Sequence, residues 1–168
     1  MNANPRPIVF LDVDGALLPF GDSVVPPAAL ESVAQADTAN PLLSRIDRRL
    51  GPLLTSLGCE LIWATTWMDD ANEVISPLLG LPRLCVIKPL DDEDEQGANG
   101  LQWKTTPIVR AAAGRDFVWI DDVIGPTDRL WIEFEHPGAA LLHKVNPAIG
   151  LTAPGLAEIA DWLAEHER

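Results

Sequence analysis

Two aspartates separated by a single residue, Asp12 and Asp14, sit at the end of the apolar run PIVFLD, and a second pair, Asp121 and Asp122, ends the run RDFVWIDD. Between them in the chain, Thr65 and Thr66 close the run CELIWATT, and Lys104 stands just before TTPIVRAAAG. Each feature has an ordinary use when taken alone. An aspartate after a strand serves as a turn residue or helix cap, a threonine there caps the next helix, and a lysine is usually solvated. Taken together and in this order they point elsewhere, because ligands of open parallel α/β sheets bind just beyond the carboxyl ends of the strands. Carboxylates gathered there at low dielectric repel one another, and a hard divalent cation with oxygen ligands, magnesium above all, holds such a group together.

The elements that must position these groups alternate in type. Strands are predicted over 7–12, 59–66, 83–89, 115–122 and 138–145. Helices are predicted over 48–57, with Asp47 as its N-cap, over 69–80, over 105–114, and at the C-terminus after Thr152. Gly58, Gly80 and Gly114 read as helix stops. This alternation predicts an α/β domain, Rossmann-like in three layers, with a mainly parallel central sheet. The acidic run DDEDEQGANG, 91–100, reads as a solvated loop rather than a cation site.

At 168 residues the chain has the size of one domain, 1–168, able to bury about 70% of the surface exposed when unfolded. The longest apolar runs are strand-sized, too short for a bilayer-spanning helix, and the opening MNANPRP lacks the features of a signal peptide. The expectation is a cytoplasmic protein with no membrane partner. Cys59 and Cys85 lie in or beside apolar runs and read as small buried thiols rather than a disulfide. The net charge of −13 disfavours strong nonspecific nucleic-acid binding, and the only basic cluster, RIDRR at 45–49, reads as solvating a helix start.

In order, DVDG, WATT, WK and VWIDD resemble the four motifs of the haloacid dehalogenase (HAD) superfamily, over Ile8 to Trp162. The resemblance implies a HAD-like fold and phosphoryl transfer through an aspartyl-phosphate with magnesium. It implies Asp12 as the nucleophile and a metal ligand, and Asp14 as general acid and base, with its backbone carbonyl in the metal shell. Thr65, with Thr66 as the lesser choice, would bind a phosphoryl oxygen at the following helix start. Lys104 would neutralise charge on nucleophile and phosphate, with Lys88 as competitor. Asp122 would bind the metal, and Asp121 would order metal waters or the lysine, an ordering left open here.

Asp14 favours phosphoryl chemistry over carbon–halogen cleavage, since dehalogenating members lack an acid there. Ala16 departs from the family pattern, which usually has threonine or a similar residue at that place; alanine packs but offers no hydroxyl. The gaps from Asp14 to Thr65 and on to Lys104 leave little length for a cap, so no large cap domain is expected, which suits a large or protruding phosphorylated substrate. Trp67 and Trp103 could line the mouth and stack on a base, though simple core packing is the preferred reading for each. Trp63 and Trp119 should be core. Beside the phosphatase stand two other readings, a nucleic-acid end phosphatase of a repair system and a noncatalytic HAD-like binding module.

Overall fold

The computed structural model describes residues 5–21, 41–91 and 100–167. β1 (Ile8–Leu11) is buried at every residue, as expected of a central parallel strand covered on both faces. It pairs in parallel with β2 (Glu60–Trp63) on one side and β4 (Phe117–Asp121) on the other; β3 (Cys85–Val86) and β5 (Ala140–Lys144) complete the order β3-β2-β1-β4-β5. The chain runs outward from β1 through β2 to β3 and then crosses to the other side for β4. The connection order therefore reverses beside β1, where such sheets form their ligand crevice.

Alternation of side chains sorts the core into two layers. Val9, Leu11, Trp63, Val118 and Ile120 pack with Leu50 and Leu54 of α1 (Leu50–Ser56) and with Leu156, Ile159 and Leu163 of α5 (Ala153–His166). Ile8, Phe10, Phe117 and Trp119 pack on the opposite face against Ile108 and Ala112 of α3 (Thr105–Ala112) and Ile132 of α4 (Pro126–Glu135). The result is the expected three-layer arrangement. Among the described residues no cap domain is inserted, and no helix is long and apolar enough to cross a membrane.

Several local expectations need correction. The segment predicted as one helix over 69–80 begins as a π-helical turn, Ala71–Ile75, followed by a single α turn, α2 (Ser76–Leu79). Ser76 N–H donates to Ala71 O, five residues back, and Pro77 has no N–H for the regular bond to residue 73. Asn72 stabilises this turn: its Oδ1 accepts from Trp63 Nε1 at 3.1 Å and Leu84 N at 2.8 Å, and its Nδ2 donates to Leu84 O at 2.8 Å. The strand predicted over 83–89 shrinks to two ladder residues, because Pro82 and Pro89 flank it and cannot donate to the ladder.

α4 was not anticipated at all. Its exposed Leu130 and Phe134 blur the amphipathic pattern; the available signal was Gly125-Pro126 with Asp128 at the third helical position, whose carboxylate accepts from Gly125 N at 2.9 Å. Asp47 does not cap α1; its carboxylate accepts from the backbone N–H and guanidinium of Arg49, and Arg49 is the N-cap residue. Thr152 does cap α5, its Oγ1 accepting from Gly155 N at 3.1 Å. Arg45 is not simply solvated, since its Nη1 donates to Gly21 O at 2.9 Å. Cys85 is exposed rather than buried, Cys59 is half-buried, and both are free. Of the predicted loop over 91–100, residues 92–99 lie outside the described residues.

Candidate active site

β1 and β4 are neighbours in register, so their ends bring residues more than a hundred positions apart side by side. Asp12 follows β1, its N–H donating to Ile120 O at 3.1 Å, and Asp121 is the last residue of β4. Oxygens of Asp12, Asp121 and Asp122 come within 4.8 Å of one another. Lys104, at the start of α3, places Nζ 2.9 Å from Asp12 Oδ1 and 2.7 Å from Asp121 Oδ2. All but Asp122 are buried in this set. Lys88, the other lysine considered, is exposed and lies 3.5 Å from Asp69.

The two aspartates of the second pair have different surroundings. Asp121 has no exposed surface; Oδ2 takes Lys104 and the Trp119 indole N–H at 3.1 Å, and Oδ1 takes Val123 N at 3.0 Å. With three donors both of its oxygens are engaged, one of them by the lysine. Asp122 is only half-buried and lies against the backbone of Gly15, where a Cβ would fall 2.4 Å from its Oδ2. Gly15 also has φ +77°, so both conformation and space reserve the position for glycine.

Burial pushes the Asp12 carboxyl up to about 7; the charge of Asp121 adds to the rise, and Lys104 opposes it. Burial and then the Asp121 charge also raise Asp122. Three carboxylates face one ammonium, so the fully ionised set is two charges short of neutrality. An oxygen-only donor set with that deficit fits a hard divalent cation. Asp12 and Asp122 have oxygens to spare for it, whereas those of Asp121 are already engaged.

Asp14 stands beside this group with a different partner. Its Oδ1 accepts from the Trp67 indole N–H at 3.1 Å. Thr65 is wholly buried and its Oγ1 accepts from Trp67 N at 3.2 Å, while Thr66 is exposed. Trp67 and Trp103 both pack partly against the core, and the Trp103 ring lies 5.9 Å from Lys104 Nζ. Ala16 is a packing residue; its carbonyl accepts from Leu151 N at 2.7 Å.

Two supporting residues escaped the sequence reading. Trp63 and Trp119 are core as expected, but the indole N–H of Trp119 also serves the site. Asp128 of α4, buried, accepts from Thr105 Oγ1 at 2.6 Å, Gln102 N at 2.9 Å and Gly125 N at 2.9 Å. It thereby ties the segment carrying Lys104 to the loop after Asp122.

The family model described as the HAD domain in Swiss Army Knife RNA repair proteins matches residues 8–156, including every motif above. The chain belongs to that family. Among solved structures, the HAD domain of effector protein Lem4 from Legionella pneumophila is similar to this one with a TM-score of 0.55 at 11% identity, covering 98% of this chain and 97% of that one. At so low an identity the likeness concerns the fold, which is the α/β HAD fold without a large cap among the described residues. No curated protein matches the chain in sequence. The carboxylates of this HAD domain thus lie where its fold forms a ligand crevice.

Proposed function

We propose that this HAD domain is a magnesium-dependent phosphomonoesterase that works through an aspartyl-phosphate on Asp12. The observation that carries the reading is Lys104 held between Asp12 and Asp121, since transfer between anions needs a fixed cation where charge gathers. Asp12 attacks phosphorus and Asp14 protonates the leaving oxygen; water activated by Asp14 then hydrolyses the acyl phosphate. Thr65 binds a phosphoryl oxygen, with Thr66 and Trp67 at the edge of the substrate site. Asp12, Asp122 and the backbone carbonyl of Asp14 would hold magnesium, with Asp121 aligning Lys104. Bound there, the ion supplies positive charge to nucleophile and phosphate and offsets their repulsion.

The family's description favours an RNA-end phosphate as the substrate. A phosphorylated end protrudes, as a site without a large cap requires. The charge of −13 means that affinity for the strand must come from a partner. The two free cysteines accord with a cytoplasmic setting.

The test is phosphate release from an aryl phosphate and from 5′- and 3′-phosphorylated oligoribonucleotides, with and without magnesium, alongside Asp12→Asn. Magnesium-dependent release abolished in the variant supports the phosphatase, and preference for one RNA end supports the repair reading. Folded wild-type protein that binds magnesium yet releases nothing from any of them favours the noncatalytic module.

A further inference from the structure

The turn after β2 is built in an unusual way. Met68, a non-glycine residue, has φ 51°, in the left-handed region that L side chains avoid. Its N–H donates to Thr65 O at 3.2 Å, and the Thr65 hydroxyl accepts from Trp67 N at 3.2 Å. The turn is thus closed from both sides, and a π-helical turn follows it directly. Its result is that Trp67, partly buried against the core, sends its indole N–H across to Asp14 Oδ1 at 3.1 Å. Asp14 belongs to the loop after β1, 53 residues away in sequence.

We propose that Trp67 is a positioning residue for Asp14, fixing which carboxyl oxygen exchanges a proton with the reacting groups. An indole N–H only donates, so the oxygen facing it must accept. Oδ1 is therefore committed, and the transferable proton belongs on Oδ2. In the first half-reaction an Asp12 oxygen bonds to phosphorus, the ester P–O bond breaks, and the Oδ2 proton passes to the departing oxygen to give the alcohol. In the second, a water oxygen bonds to phosphorus, the Asp12–phosphorus bond breaks, and the water proton returns to Oδ2 as inorganic phosphate leaves. The loop carrying Asp14 has alanine at position 16, which offers no hydroxyl, and the indole supplies a side-chain hydrogen bond to the acid from another element.

This inference rests on the phosphatase reading and can fail separately from it. Trp67→Phe keeps a ring and removes the N–H. With magnesium present, kcat and KM are compared for phenyl phosphate, whose leaving group needs a proton, and for 2,4-dinitrophenyl phosphate, whose leaving group departs without one. The expected result is a fall in kcat/KM, which reports transfer to Asp12 and loss of the leaving group, at least about tenfold greater for phenyl phosphate, in keeping with the contribution of a positioned general acid. Equal falls on the two substrates, or a rise in KM alone that is equal for both, overturn the inference and leave Trp67 as a packing or stacking residue. Should Trp67→Phe not fold, Trp67→Met, a flexible non-donor, takes its place in the same comparison. Wild-type protein inactive on both substrates and on the phosphorylated oligoribonucleotides sinks the phosphatase reading itself.

Discussion

Lys104 and Asp121 meet at 2.7 Å with almost no water access to either side chain, although one opens a helix and the other ends a strand. The same ammonium reaches Asp12 at 2.9 Å, so a single cation links the two strand ends. Removing it leaves buried carboxylates facing each other. Lys104→Met is expected to lower turnover by about two to three orders of magnitude, the usual effect of deleting a fixed group that stabilises transition-state charge. It should also destabilise the metal-free protein by about 3 kcal/mol, the low end for breaking a buried pair, because a proton on Asp12 relieves part of the repulsion. Steady-state kinetics and urea unfolding in chelator measure the two effects.

Stability without metal should depend on pH in an uncommon direction. Asp12 has its folded pKa raised from 3.8 to about 7, so the folded protein holds a proton that the unfolded chain gives up. This group's contribution is fully present below about pH 4 and is lost as pH rises through about 7. His136 and His143, both lowered by burial, act in the opposite sense below their ordinary 6.5. The difference between wild type and Asp12→Asn isolates the aspartate. Thermal melts in chelator should show wild type losing stability relative to the variant between about pH 4 and about 7, and magnesium should restore it. Parallel profiles for the two proteins would mean that Lys104 keeps Asp12 ionised throughout.

Gly15→Ala tests the contact between the first loop and Asp122. The added Cβ would sit 2.4 Å from Asp122 Oδ2 at a φ of +77°, so the loop or the carboxylate must move. The conformational cost alone is about 1–2 kcal/mol. Magnesium titration followed by thermal shift is expected to show affinity reduced at least about tenfold, whereas strain that is equal with and without the ion lowers stability and leaves affinity unchanged. Unchanged affinity would place the cation away from Asp122.

Asp128→Ala strips the acceptor from Thr105 Oγ1, Gln102 N and Gly125 N together. A loss of about 3 kcal/mol in urea unfolding is expected, since bonds to a charged group contribute about 1.5–3 kcal/mol each and water can rescue part of the set. Turnover should fall as well, because the segment bearing Lys104 loses its tie to the loop after Asp122. Asp47→Ala is the control. It breaks an exposed pair with Arg49 and should change stability far less than Asp128→Ala does.

Much of the scaffold was legible in the chain, because strands buried on both faces must be nearly continuous apolar runs and IVFL and FVWID are such runs. The carboxylates after them stood out for the same reason: charge is costly beside a core unless something uses it. Helix α4 went unread because Leu130 and Phe134 face solvent, whereas the strand over 83–89 was read in the right place but too long, since only Cys85 and Val86 join the ladder at this edge.

The sequence by itself determined the residue types at the strand ends, their order and the alternation that implies a parallel sheet, since these depend on local periodicity and composition. Only the tertiary structure separated Lys104 from Lys88, gave Asp121 the lysine and left Asp122 facing Gly15, and brought the Trp67 indole to Asp14. Those assignments depend on which strands are neighbours and on distances of a few ångströms across the crevice. Spacing along a chain does not encode them, because hydrogen bonding and burial act between residues brought together only by the packed sheet.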